Sequence, residues 1–68
     1  MEYIIKDKIA EQIRKNRRNR EIARTVGVTE GYISQIVHKR PVVVKTTAYA
    51  ITKAIDKDLE IKDVFEIS

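Results

Sequence analysis

The stretch NREIARTVGVTEGYISQIVH, residues 19–38, decides the fold of this 68-residue chain. It contains two short runs of apolar residues with the spacing of an amphipathic helix, one on each side of a glycine. Gly27 suits the left-handed backbone just past a helix end, and Thr29 is a candidate N-cap for the next helix. Ala23 supplies the small side chain needed where two helices cross closely, so the stretch predicts a helix-turn-helix opened by Asn19 as N-cap. The apolar residues expected to seat both helices on the core are Ile22, Val26, Val28, Ile33 and Ile36.

Helical periodicity continues on both sides of this motif. It predicts an amphipathic helix from about Tyr3 to Lys15, a further helix from about Lys45, and a short last helix near Lys62–Glu66. Pro41 ends the second helix of the motif, because the residue before a proline is pushed out of the helical region. The three valines at 42–44 have strand propensity but no evident partner strand, so we interpret them as an extended connection.

These assignments predict an all-α fold, a compact bundle of four to five short helices in a single domain, residues 1–68. A chain of this length buries only about 60% of the surface that it exposes when unfolded, which argues against a two-lobed enzyme with a deep pocket. It contains no cysteine and a single histidine. We therefore expect no enzymatic activity, no metal site and no cofactor. No apolar run approaches the roughly 18 residues of a membrane helix, so we expect a cytoplasmic protein with no membrane contact.

The basic charge is concentrated in the middle of the chain. The net charge of the whole sequence is +4. Residues 14–45 hold nine lysines and arginines but only two glutamates, a net charge of +7, whereas both ends of the chain are slightly acidic. A solvated charged face is the ordinary explanation of such a segment. Because the segment coincides with the helix-turn-helix, it also indicates a polyanionic partner.

The motif resembles the helix-turn-helix proteins of the phage Cro and repressor type. The resemblance extends from about residue 5 to 67 and includes, within the motif, Ala23, Gly27-Val28, Thr29 and Ile33-Ser34. Outside the motif, AYAITKAID (residues 48–56) is similar to the fourth helix of that family. The resemblance implies a lambda repressor-like fold that binds operator DNA.

The resemblance also implies a role for each polar side of the motif. The helix from about residue 30 to 38 would lie in the major groove, where Gln35 can pair with adenine and Glu30 can accept from cytosine. Asn19 would bond a backbone phosphate at the start of the preceding helix. The implied base-contacting residues are Glu30, Gly31, Ser34 and Gln35, with Thr29 and His38 at the margins. The implied phosphate-binding residues are Asn19, Arg17, Arg18, Arg20, Lys39, Arg40 and Lys45.

Two functions stay open at this point. The first is a transcriptional regulator that binds double-stranded DNA as a homodimer, associating through the C-terminal apolar residues. The second is an antirepressor, a modulator of repression that binds a phage repressor protein directly. Glu30 and Gly31 suit the second function, because a glutamate can pair with the basic DNA-binding surface of a repressor. The apolar residues considered for self-association, which could equally belong to the core, are Leu59, Ile61, Val64, Phe65 and Ile67.

Overall fold

Two helices flank Gly27, as the sequence predicts. A computed structural model describes all 68 residues and contains α2 (Asn19–Val26) and α3 (Glu30–Lys39) on either side of the turn. Gly27 adopts a left-handed conformation with φ of 88°. The amides of Gly27 and Val28 both donate to the carbonyl of Ala23, at 2.8 and 3.0 Å, and close the end of α2. Thr29 caps α3, since its hydroxyl accepts the backbone N–H of Tyr32 at 3.1 Å.

The prediction of an all-α fold is wrong, because the chain also forms a three-stranded antiparallel sheet. The strands are β1 (Glu2–Ile5), β2 (Val43–Val44) and β3 (Phe65–Ile67), in the spatial order β2-β1-β3. The remaining helices are α1 (Asp7–Lys15), α4 (Lys45–Ile55) and α5 (Ile61–Val64), so the fold is a small α/β arrangement.

The sheet corrects three boundaries. The first helix begins at Asp7 rather than Tyr3, because residues 2–5 form the central strand, which pairs with β2 on one side and with β3 on the other. The valines at 43–44 are not an unpaired connection, since Val43 lies opposite Tyr3. The last helix ends at Val64 rather than Glu66, because the chain beyond it extends to pair with β1.

A single apolar core lies between the sheet and the helices. It comprises 14 buried residues drawn from every element. Phe65 is only 2% exposed and Val64 is fully buried. The prediction of a self-association surface is therefore wrong for these two residues, while Leu59 and Ile61 are partly buried and Ile67 is exposed. The one buried polar residue, Thr52, donates its hydroxyl to the carbonyl of Ala48 at 2.8 Å, which satisfies its hydrogen-bonding need.

The longest helix, α4, has 11 residues, and none of the five is both long enough and apolar enough to cross a bilayer. The structure groups no three histidine, aspartate or glutamate side chains in a way that could hold a metal ion.

Candidate nucleic-acid interface

One face of α3 is open to solvent along its whole length. Ile33, Ile36 and Val37 point into the core and anchor the opposite face. The outward positions recur at the spacing i, i+1, i+4, i+5, i+8, which is a single stripe of an α-helix. The residues of this stripe are polar, apart from one glycine, and are accessible to a binding partner. Its residues are Glu30, Gly31, Ser34, Gln35 and His38, which are exposed except for the partly buried Ser34.

Helix α3 is held at both ends. At its start, Thr29 caps the first turn. Near its end, the guanidinium of Arg14 on α1 donates to the carbonyl of Val37 at 2.8 Å. Arg40 closes the helix in a left-handed conformation with φ of 49°. A helix fixed in this way can present its outward stripe with little loss of conformational freedom on binding.

A polar concavity runs beside α3, at the junction of α1, α2 and α3. We call it the Asn19 concavity; its lining contains no apolar residue. The residues that line it are Arg14, Arg17, Asn19, Glu30 and His38. The structure thus brings together residues expected to contact phosphate and residues expected to contact bases. It adds Arg14, which the sequence patterns did not single out because its position at the end of α1 gives no motif.

Asn19 is the residue of this concavity with an unmet hydrogen bond. The prediction that it caps α2 is wrong, because Arg18 occupies the cap position and Asn19 is already the first helical residue. Its Oδ1 atom is buried and has no hydrogen-bond partner in the chain. Asn19 lines the concavity at the first turn of α2, so its side-chain amide lies where an anion would meet the start of the helix.

The carboxylate of Glu30 is partly neutralised within the chain. Its Oε2 lies 3.6 Å from Nε of Arg20, which belongs to the first turn of α2. Both side chains remain more than half exposed, so the ion pair adds little to stability. The positive charge of Arg20 instead offsets the negative charge of Glu30, the only acidic group on the outward stripe of α3.

The basic residues around the motif separate into free and engaged groups. Arg17 and Lys39 are exposed and form no ion pair. Arg18, in contrast, pairs with Glu21 and donates to the carbonyl of Ile55 at 3.1 Å. Arg18 therefore links the start of α2 to the end of α4, and its guanidinium group is less accessible to a phosphate.

Two further predicted phosphate-binding residues lie apart from the Asn19 concavity. Arg40 donates to the carbonyl of Ile5 at 3.0 Å and lies 3.8 Å from the carboxylate of Glu66, so it joins α3 to the sheet. Lys45 opens α4 and lines a different groove together with residues of the sheet.

A second concavity reaches the start of α3 from the side of α4. It is lined by Tyr32 of α3, by the N-cap residue Thr29, and by Thr46 and Thr47 of the first turn of α4. Sequence analysis missed these two threonines. The run Lys45-Thr46-Thr47, directly before an apolar helical stripe, is the feature that could have indicated them, since hydroxyls in the first turn of a helix are common phosphate contacts.

The starts of α2 and α4 share a further property. Neither helix has a side-chain hydrogen bond at its N-cap, whereas Thr29 does cap α3. The first backbone amides of a helix lack partners within it and carry the positive end of its dipole. The start of α3 is therefore flanked on both sides by helix ends that favour anions.

Comparison with protein-family models, with curated protein sequences and with solved structures found no match to this chain.

Proposed function

We propose that the protein is a sequence-specific DNA-binding transcriptional regulator of the phage Cro/repressor type. It acts in the cytoplasm of a bacterial host by occupying an operator. The observation that carries the proposal is the surface of α3, a polar and solvent-exposed stripe flanked by two concavities at the uncapped starts of α2 and α4.

The dimensions of this surface fit duplex DNA. Helix α3 has 10 residues and is therefore about 15 Å long. The major groove is about 12 Å wide and admits one α-helix. With α3 in the groove, the starts of α2 and α4 face the two sugar-phosphate backbones. Their free amides and the Nδ2 group of Asn19 donate to phosphate oxygens, which fixes the orientation of α3.

The outward stripe supplies the sequence preference. Gln35 offers one donor and one acceptor, which match the N7 and N6 positions of adenine. Glu30 accepts from the amino group of cytosine, and its proximity to Arg20 lowers the cost of bringing a carboxylate to the DNA. Ser34 accepts or donates and tolerates several bases. Gly31 contributes no side chain, so the preference rests on Gln35 and Glu30.

The experiment that tests this proposal is a selection of bound sequences from random duplexes, followed by fluorescence anisotropy with the selected site. Gln35→Ala is expected to change the selected sequence at one or two positions, with a loss of about 1–3 kcal/mol for the original base. The matched control is Gln12→Ala, which removes an exposed glutamine from α1. A loss that is equal for all sequences on changing Gln35 would place that residue outside the groove.

One observation favours a second candidate function, an antirepressor that binds a phage repressor. The side chain of Glu30 is 56% exposed, and Gly31 beside it has open space around it. An exposed carboxylate beside a position without a side chain would fit a basic protein surface, which would then compete with Arg20 for Glu30. Glu30→Lys separates the candidates, because it is expected to strengthen nonspecific DNA binding but to abolish a complex with a repressor. Retention of the repressor complex by this variant would exclude the second candidate.

A further inference from the structure

We propose that a groove formed by α4, α5 and the sheet binds an acidic peptide segment of a partner protein, in extended conformation. Its lining residues come from α4, from the start of α5 and from strands β1 and β3, together with Lys6, and we call it the α4 groove. None of its lining residues belongs to α2 or α3. Only Lys45, in the first turn of α4, adjoins the proposed DNA contact. A peptide in the groove would therefore leave the outward stripe of α3 free.

The floor of the α4 groove is apolar and incompletely covered. Cross-strand neighbours in an antiparallel pair project to the same face, so Ile67 lies on the same side as its partner Tyr3. The other pair on that side, Ile5 and Phe65, is buried against the helices. Ile67 instead is 63% exposed, although it belongs to the covered face. Tyr49 of α4, also in the groove, is 54% exposed. Ile67 and Tyr49 therefore form an exposed apolar surface in the groove that a partner could bury.

The rim of the α4 groove carries positive charge that the chain does not neutralise. Lys6, Lys45 and Lys53 line the groove and none of them forms an ion pair. The two carboxylates of the same groove are both engaged, since Glu60 pairs with Lys62 and Glu66 pairs with Arg40. The charge of the free lysines is complementary to carboxylates from outside the chain.

Charge spacing along α4 indicates the form of the occupant. Lys45, Tyr49 and Lys53 succeed each other at intervals of four residues and therefore share one face of the helix. Lys45 and Lys53 are separated by about 12 Å along the axis of α4. In an extended peptide, five consecutive residues span about 13 Å from first to last, and the first, third and fifth side chains point to one side. A peptide with acidic residues at the first and fifth positions and an apolar residue at the third would therefore match Lys45, Lys53 and Tyr49 on this face of α4.

The groove also restrains the lysine at its far end. Nζ of Lys53 donates to the carbonyls of Lys57 and Leu59, at 3.1 and 2.8 Å, and lies 5.5 Å from the centre of the Tyr49 ring. These contacts fix the position of the ammonium group without neutralising its charge. A carboxylate of the peptide would meet a cation that is already placed, which reduces the entropy lost on binding.

The test is an NMR titration of the ¹⁵N-labelled full chain with a designed seven-residue peptide. Aspartate, phenylalanine and aspartate occupy alternate positions in the peptide, with serine between and beside them. We expect amide shifts confined to β1, α4, α5 and β3, the elements that line the groove, and a dissociation constant below about 1 mM. The control peptides have the same composition with adjacent aspartates, or lysine in place of aspartate, and are expected to bind at least about fivefold more weakly.

Variants of the chain provide the second arm. Tyr49→Ala and Lys6→Glu are each expected to weaken peptide binding about fivefold to tenfold. Lys8→Glu, which makes the same charge change on the exposed side of α1, is expected to leave it unchanged. A third arm titrates duplex DNA against the labelled chain. Equal binding of all peptides, peptide shifts on α3, or DNA shifts confined to the α4 groove would each overturn the proposal.

Discussion

The two glycines of the helix-turn-helix are expected to respond in opposite directions to the same substitution. Gly27 has φ of 88°, a conformation in which a side chain is strained by about 1–2 kcal/mol. Gly31 lies in the first turn of α3 and does not have a positive φ, and a methyl group there would meet nothing within 4 Å. Because nothing within 4 Å surrounds a methyl group at Gly27 either, the difference between the sites is purely one of backbone conformation.

Gly27→Ala is therefore expected to lower the free energy of unfolding by about 1–2 kcal/mol. Gly31→Ala is expected to raise it by about 0.5–1 kcal/mol, since alanine loses less backbone entropy on entering a helix. For a domain of this size, each kcal/mol corresponds to a change in Tm of about 4–8 °C. Urea denaturation followed by circular dichroism measures both variants against the wild type. Changes of the same sign in the two variants would refute the assignment of Gly27 as a left-handed helix end.

Further predictions concern the sheet and the basic residues. Phe65→Ala is expected to lower the free energy of unfolding by about 3–5 kcal/mol, because it leaves a cavity in the core. Ile67→Ala is expected to change it by less than about 1 kcal/mol, because this side chain is exposed. Equal losses for the two variants in urea denaturation would contradict the burial of Phe65. Arg17→Ala is expected to reduce the slope of log affinity for DNA against log salt by about 0.9 without changing stability, since this side chain is free. Arg18→Ala is expected to lower stability instead, by about 1–3 kcal/mol, because it breaks the bond to the carbonyl of Ile55; thermal denaturation and anisotropy distinguish the two.

The sequence was sufficient to predict the centre of the fold. Each feature of the turn has a local cause, so Gly27 and Thr29 could be assigned from the residue type and its neighbours alone. The apolar stripe of α3 likewise follows from spacing within a single helix. Interactions of this kind are decided within a few residues along the chain.

The sheet could not be predicted because its pairing is not local. Tyr3 pairs with residues about 40 and 64 positions further along the chain, and the partner strands have only two and three residues. Ile5 also fits a four-residue repeat with Ile9 and Ile13, so the helical pattern extended into the strand. The alternation of exposed and buried residues in β1 covers only four positions, too few to outweigh that pattern.

The candidate interface was predicted in its outline and not in its detail. The outward stripe of α3 follows from helix periodicity, and four of its five positions are exposed while Ser34 is partly buried. The separation of Arg17 from Arg18 depends on Glu21 and on the end of α4, which the local sequence does not place. The position of Thr46 and Thr47 beside the start of α3 depends in the same way on how α4 packs in the fold, which the local sequence does not determine.

The most direct test of the central claim is fluorescence anisotropy of the full chain with labelled duplexes from the region around its own gene, at about 50 and 200 mM salt. The account predicts binding that discriminates among the duplexes and that weakens linearly with log salt, because it assigns base contacts to α3 and phosphate contacts to the flanking helix starts, Arg17 and Lys39. Absence of binding to every duplex at the lower salt concentration would contradict the account.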